Sequence, residues 1–141
     1  MRTAKFITFV NKKQMAEKGE LNLEQKKELI IEAIQEKKGH QIVSIDLSQV
    51  ENSICDCFII CHGESNTQVS SITDSIEKKL KEETGIRAHH VEGQQNSQWV
   101  LMDFFDVLVH VFQEEYRSFY QLEELWADGK MAKVVEKERT M

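Results

Sequence analysis

The segment that decides the fold is WVLMDFFDVLVHVFQEEYRSFYQLEELW, residues 99–126. Its two apolar stretches, Trp99–Met102 and Val107–Phe112, are separated by so few residues that they predict the strands of a hairpin. Glu114 and Glu115 follow, as acidic residues often do in the first turn of a helix, where the helix dipole is positive. The segment contains no phosphate-binding loop and no metal-spaced cluster. It therefore favours a docking surface over a catalytic site.

Two helices are predicted upstream of the hairpin, and each begins with a cap residue followed three positions later by glutamine. The first covers Leu23–Lys38, and the second runs from Ser65 to about Glu83. Each should end at a glycine, Gly39 or Gly85. The capping pairs are Asn22 with Gln25 and Ser65 with Gln68.

Three further strands are predicted outside the hairpin. In Ile42–Leu47 alternate residues are apolar, which is typical of a half-buried strand. Cys55–Cys61 is apolar on nearly both faces, so it should lie near the centre of a sheet. Ile86–Val91 is the third strand. The order α-β-β-α-β-β-β-α predicts a single α+β domain in which helices flank a five-stranded mixed sheet, with one parallel pair from the strand-helix-strand crossover.

The chain of 141 residues has the length of one domain. That domain should span residues 21–128, between a flexible N-terminal extension at 1–20 and a mobile basic tail at 129–141. Met15 precedes a hydrophilic lead into the first helix and is a candidate start codon. No apolar run approaches the roughly 20 residues of a membrane helix, so we expect no membrane partner.

The charge is unevenly distributed along the chain. The formal net charge is −6, which divides into +3 for residues 1–20, −11 for residues 21–128 and +2 for residues 129–141. Proteins that bind nucleic acid need clustered Lys and Arg to displace counterions, so an acidic body disfavours direct nucleic-acid binding by the domain. It favours basic protein surfaces as partners. The alternative is that the acidity serves solubility alone.

Three cysteines raise the question of a zinc site. Cys55, Cys57 and Cys61 alternate onto one side of the predicted strand, and His62 follows directly. A strand rises roughly 3.3 Å per residue, so residues 55 and 61 lie about 20 Å apart and one ion cannot reach both. We therefore expect buried cysteines and no metal. Their crowding also argues against a disulfide framework and indicates a reducing cytoplasm.

A second candidate chemistry is nucleotidyl transfer with a magnesium nucleotide. Gly63 and Ser65 lie between a strand and a helix, and Asp103 and Asp106 lie on the later hairpin. Carboxylates on one strand face the same way when they are two residues apart, and these are three apart, but a hairpin loop can bend them together. This enzyme function therefore stays open as the alternative. His110 lies mid-strand between apolar neighbours and is expected to be a core or sheet-face histidine.

The hairpin tip combines aromatic and acidic residues. This composition is typical of a protein-binding hot spot, in which an aromatic side chain anchors the complex and charge orients a basic partner. For each aromatic residue the alternative is packing against the final helix. The candidate partner-binding residues are Trp99, Asp103, Phe104, Phe105 and Asp106, with Glu92 on the preceding turn.

Several blocks of sequence occur in a characteristic order. They are DLS at 46–48, NSICDCFIICHGESN at 52–66, QV at 68–69, VEG at 91–93, WVLMDFFDVLVHVF at 99–112, and then Arg117, FY at 119–120, LE at 122–123 and LW at 125–126. With these blocks, the chain resembles the ribosomal silencing factor family, also called the Iojap-like family. The resemblance covers about Leu23 to Asp128, nearly the entire predicted domain.

The resemblance implies an α+β fold related to the nucleotidyltransferases but without their catalytic carboxylate pattern. It also implies binding to protein fourteen of the large ribosomal subunit, on the face that meets the small subunit. The bound domain would then prevent subunit joining by excluded volume and lower translation when nutrients are short, with no enzymatic activity and no cofactor. A bacterial cytoplasmic location follows, with an organelle less favoured, and a homodimer that competes for the same surface is a further expectation.

The family's partner-facing surface maps onto Trp99, Asp103 and Asp106, and less directly onto Glu92. One position departs from the family pattern, because Gly usually precedes the second Asp and here that residue is Phe105. A bulky side chain disfavours a turn with φ > 0. We therefore expect either a reshaped hairpin or an additional apolar contact from Phe105.

Overall fold

The computed structural model describes residues 22–53, 55–121, 123 and 129–134. The predicted extension at 1–20 lies outside that range, and so do Leu122, Leu125 and Trp126 of the family-like blocks. In chain order, the described elements are α1 Leu23–Glu36, β1 His40–Asp46, β2 Cys57–Gly63, α2 Asn66–Thr84, β3 His90–Glu92, β4 Trp99–Asp103, β5 Val107–Gln113, α3 Glu114–Tyr120 and β6 Lys130–Lys133. None of these helices is long and apolar enough to cross a membrane.

The strands form one mixed sheet in the order β3-β4-β5-β2-β1-β6. At its centre, β2 and β5 are parallel and in continuous register from Cys57↔Val107 to Gly63↔Gln113. The other neighbouring strands are antiparallel. Every residue of β2 is buried. The predicted α+β class, the hairpin and the central position of β2 are therefore confirmed.

The sheet has six strands where the sequence predicts five. The additional strand, β6, lies in the segment predicted to be a mobile tail, and it pairs antiparallel with β1 from Val43↔Lys133 to Asp46↔Lys130. Its sequence, Lys-Met-Ala-Lys, does not alternate apolar and polar residues, so the pattern does not predict a strand. The strand exists because it satisfies the backbone groups along the edge of β1, which a local sequence pattern does not report.

The two faces of the sheet carry separate apolar clusters. On the first, here called the helix face, α1 and α2 cover the sheet, and the buried cluster includes Ile30, Ile72, Val109 and Phe104. On the second, here called the outer face, the buried cluster is made of alternate strand residues, and Trp99, Leu101 and Tyr116 of α3 pack against it as partly buried side chains. The outer face thus presents the partly exposed aromatic residues.

The beginning of α1 follows the prediction and its end does not. Asn22 and Gln25 form the predicted capping box, with reciprocal hydrogen bonds of 2.9 and 3.3 Å. The helix ends at Glu36, and Lys38 rather than Gly39 adopts the left-handed conformation, with φ 58°. Gly39 instead lies so close to Ile34 that a Cβ atom would collide with that side chain. The glycine is therefore required for close packing and not for its backbone freedom.

The beginning of α2 links the two helices. The Ser65 hydroxyl accepts a hydrogen bond from the Gln68 N–H at 3.1 Å, as predicted. The Gln68 side chain does not complete a capping box. It accepts from the Glu64 N–H at 2.8 Å and donates to the carbonyl oxygens of Lys37 and Lys38 at 3.0 Å each. The end of α1 is thereby joined to the start of α2.

The hairpin turn places a bulky residue in the left-handed region. Phe105 adopts φ 73°, the conformation that its side chain was expected to disfavour. The Asp103 carboxylate accepts a hydrogen bond from the Phe105 N–H at 2.8 Å, and the Phe105 ring lies 4.5 Å from the ring of His89. These contacts offset a left-handed conformation that costs a non-glycine residue about 1–2 kcal/mol.

Replacing Phe105 tests this strain. Phe105→Gly and Phe105→Ala both remove the ring, but only glycine adopts φ > 0 without steric cost. We expect the glycine variant to be more stable than the alanine variant by about 1 kcal/mol in urea denaturation. Equal stability, or a less stable glycine variant, would mean that the turn is unstrained.

Candidate functional site

Side chains of two neighbouring strands form a strip on the outer face. Along β4, Val100 and Met102 belong to the helix-face cluster, so the alternate residues of the strand point to the outer face. The register of β3 with β4 adds two side chains to the same face. The strip, here called the β3–β4 strip, consists of His90, Glu92, Trp99, Leu101 and Asp103.

Trp99 is the largest side chain of the strip and is half-buried. Its indole ring stacks on Phe112 with 4.9 Å between centroids and contacts Tyr120 of α3 at 4.7 Å. The indole Nε1–H donates a hydrogen bond to Nδ1 of His110 at 3.2 Å. The indole is thus held from below and from one side while part of it reaches the surface.

Two aromatic residues of α3 extend the apolar part of the strip at the Trp99 end. Tyr120 is 44% exposed and Phe119 is 77% exposed, and their rings meet edge to face at 5.1 Å. Adjacent residues on a helix point about 100° apart, so Phe119 and Tyr120 cannot both face the core. This spacing is the sequence signal that at least one of them lies at the surface.

The carboxylates of the strip remain at its surface. Glu92 is exposed, and its carboxylate lies 2.7 Å from the imidazole Nε2 of His90. Asp103 is half-buried and accepts the hydrogen bond from the Phe105 N–H. Phe105 itself is 68% exposed at the end of the hairpin. Four of the six candidate residues, Glu92, Trp99, Asp103 and Phe105, therefore lie at the surface along β3, β4 and the turn.

The other two candidates are held by contacts within the domain, Phe104 by burial and the partly exposed Asp106 by an ion pair. Phe104 is 1% exposed and belongs to the helix-face core. Asp106 forms an ion pair with Lys26 of α1 at 2.7 Å, and the same ammonium donates to the Phe104 carbonyl oxygen at 3.4 Å. The Asp106 carbonyl oxygen accepts from the N–H groups of Asp56 and Cys57. These residues join the hairpin to α1 and β2, and we leave them out of the candidate surface.

His110 lies beneath Trp99 and is 5% exposed. Its Nδ1 accepts the indole hydrogen bond, which assigns the proton of a neutral imidazole to Nε2. Among the described residues, that Nε2 has no hydrogen-bond partner. Burial lowers the pKa of His110 to about 4, and the carboxylate of Glu123 acts in the opposite direction. The imidazole is therefore neutral near pH 7.

A buried arginine holds α3 against the sheet. The Arg117 guanidinium donates to the Gln41 carbonyl oxygen at 2.8 Å and to the Glu123 carboxylate at 2.6 Å, and it lies 3.0 Å from Nδ1 of His62. Burial and this guanidinium both lower the pKa of His62. Burial favours a raised pKa for Glu123, but the hydrogen bonds from Arg117 outweigh it and the pKa falls below its ordinary range. The cluster positions the aromatic residues of α3.

The cysteines are buried on both faces of the sheet. Cys57 and Cys61 belong to the helix-face cluster, but Cys55 precedes β2 and belongs to the outer-face cluster. The prediction that all three share one side is therefore wrong. Burial raises the pKa of Cys55 and Cys57 to about 11 and that of Cys61 to about 12, so the thiols are protonated near neutral pH. Within the described ranges, no three His, Cys, Asp or Glu side chains group as metal ligands.

The residues of the nucleotidyl-transfer alternative lie at opposite ends of the sheet. Asp106 hydrogen bonds through its backbone to the start of β2, whereas Gly63 ends β2 and Ser65 caps α2. The length of β2 separates the two pairs by about 20 Å at roughly 3.3 Å per residue. Two metal ions of a transfer site lie within about 4 Å of each other. The four residues therefore cannot serve one such site.

Comparison with known proteins identifies close relatives. The family model described as "Ribosomal silencing factor during starvation" matches residues 20–141. The ribosomal silencing factors of Halalkalibacterium halodurans and Bacillus subtilis are each 40% identical, over 102 and 100 residues, covering 72% and 71% of this chain and 86% and 83% of those proteins. The chloroplastic protein Iojap of Zea mays is 35% identical over 72 residues, 51% of this chain and 31% of that protein.

Solved structures show the same fold. A crystal structure of a protein from Chromobacterium violaceum has a TM-score of 0.72 at 36% identity, covering 76% of this chain and 88% of that one. A crystal structure from Bacillus halodurans has a TM-score of 0.68 at 34% identity, covering 79% of this chain and 99% of that one. The fold class and the family resemblance that the sequence predicts are confirmed.

His110→Leu should reduce the loss of stability in acid. The unfolded chain protonates this histidine near pH 6.5, whereas the folded chain keeps it neutral down to about pH 4. Between those values the unfolded state binds more protons, so the free energy of unfolding falls as the pH falls. We expect the loss between pH 7 and pH 4, measured by urea denaturation, to be smaller in the variant by about 3 kcal/mol. Glu123 titrates in both proteins, and an identical loss in both would contradict the assignment.

The pair of Lys26 and Asp106 should respond unequally to removal of its two members. Asp106→Ala leaves an ammonium on a side chain that is 9% exposed, whereas Lys26→Met leaves a carboxylate that is 30% exposed and reaches water. We expect Asp106→Ala to lower the free energy of unfolding by about 2 kcal/mol and Lys26→Met to lower it by less. The double variant should recover part of the loss, and equal costs for the two single variants would contradict this account.

Proposed function

The chain belongs to the ribosomal silencing factor family, and from this premise we propose that it lowers translation by binding protein fourteen of the large ribosomal subunit and blocking the small subunit sterically. The observation that carries the proposal is the β3–β4 strip. It presents a half-buried tryptophan at one end and two surface carboxylates towards the hairpin turn, on the face of the sheet opposite α1 and α2. This arrangement suits a basic protein partner.

Trp99 has the properties of an anchor. Large aromatic side chains contribute most to binding when they enter the partner from a rigid position, because little conformational freedom is then lost. The indole is already stacked on Phe112 and hydrogen bonded to His110. Tyr120 and Phe119 extend the apolar area beside it. We assign the central contact to Trp99 and the neighbouring contacts to these two residues.

Charge selects the kind of partner. Glu92 lies opposite Leu101 and Asp103 ends β4, so both carboxylates lie on the turn side of Trp99, and residues 21–128 carry a net charge of −11. Such a body is attracted to a basic ribosomal protein and repelled by the phosphates of ribosomal RNA. Complementary charge at the rim speeds association and fixes orientation. Binding through protein, rather than directly through RNA, is therefore the proposed mode, and the bacterial cytoplasm is the proposed location.

Blocking the small subunit requires only the volume of the bound domain and no enzymatic reaction. A domain of about 100 residues has a radius of gyration of about 13 Å, so a bound copy on the joining face would fill space that the small subunit must occupy. The enzyme alternative has lost its basis, because its four residues lie at opposite ends of β2. The exposed aromatic residues also suit a second copy of the chain, and sedimentation over a range of concentrations with and without large subunits would reveal such competition.

Trp99→Ala should weaken binding to purified large subunits at low salt by about 30-fold, the equivalent of about 2 kcal/mol for an anchoring tryptophan. Circular dichroism would establish that the variant is folded. In sucrose gradients of mixed subunits, an excess of the wild-type protein should reduce the fraction of joined ribosomes, and the variant should not. Wild-type protein that forms no complex, or that leaves joining unchanged, would refute the proposal.

Glu92→Gln and Glu82→Gln form a matched pair. Both remove one negative charge from an exposed glutamate, but Glu92 lies in the strip and Glu82 lies on α2. We expect Glu92→Gln to slow association with large subunits and to make it less dependent on salt, because charge beside the contact steers the encounter. Glu82→Gln should behave as wild type. Equal effects would mean that net charge, and not the strip, governs association.

A further inference from the structure

His110 occupies a position where an apolar side chain would be expected. Its ring lies 4.6 Å from that of Phe58 in a T-shaped contact and 6.3 Å from that of Phe112, and its register partner on β4 is Leu101. Leu108 and Phe112, which precede and follow it on the outer face of β5, are both in the buried cluster. A histidine here leaves its Nε2–H without a partner among the described residues. A buried donor without a partner lowers stability.

Within the described part of the chain, the one hydrogen bond of this imidazole is with Trp99. Nδ1 accepts the indole Nε1–H at 3.2 Å, and the two ring centroids are 6.0 Å apart. Trp99 is only half-buried, so water could satisfy its N–H without any help from the core. Solvation of the indole therefore does not require His110. The hydrogen bond has a different consequence, since it selects one orientation of the ring about its side-chain torsions.

We propose that His110 is a positioning residue that holds Trp99 in the orientation in which it docks, an inference that rests on the proposed function. Stacking on Phe112 fixes the plane of the indole. Stacking alone would also allow the flipped ring, which lies in the same plane with its N–H edge pointing the other way. The hydrogen bond directs the N–H edge to the interior and the six-membered ring away from it. A partner then meets a preorganised anchor and loses less conformational freedom on binding.

Two variants separate positioning from packing. Asparagine places an acceptor oxygen close to where Nδ1 lies, so His110→Asn keeps the bond to Trp99 but puts a poorly matched amide in a strand. Leucine fills the site and removes both the acceptor and the partnerless donor. Urea denaturation near pH 7 should show His110→Leu to be at least as stable as wild type and His110→Asn to be less stable. Affinity for the large subunit should instead be kept in His110→Asn and reduced in His110→Leu.

The orientation is measured in the free protein by NMR. The indole N–H resonance of Trp99, assigned by its loss in Trp99→Phe, should exchange slowly with solvent in wild type and in His110→Asn, and faster in His110→Leu. Comparable exchange in wild type and His110→Leu would overturn the claim that His110 orients the indole. This measurement is independent of the ribosome, so it decides the orientation even if wild-type protein does not bind large subunits, a result that would reject the proposed function.

The consequence for docking is measured with purified large subunits at low salt. His110→Leu should bind roughly tenfold more weakly than wild type, and His110→Asn close to wild type. In a Trp99→Ala background, His110→Leu should have no further effect. Unchanged affinity of His110→Leu, or an equal loss in the Trp99→Ala background, would overturn the proposal, because His110 would then act on stability or through another residue.

Discussion

The rest of the structure depends on the parallel pairing of β2 with β5. Their register is continuous over seven residue pairs, and β2 is buried along its whole length. A parallel pair needs a long crossover, and it needs cover on both faces because its strands are apolar on both sides. Here α2 lies on the crossover, and α1 packs with it on the helix face. The outer face is left for α3 and for the strand side chains that point to it.

This central pair also determines where polar groups lie. Groups that precede β2 and groups that follow it are separated by the length of the strand, so the hairpin aspartates and the loop at Gly63 and Ser65 cannot cooperate. The hairpin turn instead packs against the start of β2 and is tied to α1 through Lys26 and Asp106. The turn thereby becomes a fixed end of the sheet, and the strand that leads into it, β4, becomes a rigid support for Trp99.

Rigid support distinguishes this surface from a collection of exposed aromatic residues. Trp99 is stacked, hydrogen bonded and partly covered, and α3, which lies beside it, is held by the buried Arg117. The steric block that we propose requires a long-lived complex, and a preorganised anchor favours one because binding then orders few side chains. In our proposal, the hydrogen bond from the indole to the buried His110 accounts for that preorganisation.

Local patterns in the sequence were sufficient for the family and for most of the elements: the capping box at Asn22, the hairpin, the buried run of β2 and the aromatic-acidic tip are all encoded within a few neighbouring residues. These local patterns did not predict the contacts between residues that are distant in the sequence. The pairing of Lys26 with Asp106, the inward turn of Phe104, the sixth strand and the link from His110 to Trp99 arise when strands and helices pack, and nothing in a short window specifies which side chain will lie opposite. Periodicity reports the face on which a residue lies, whereas packing in three dimensions selects its partner.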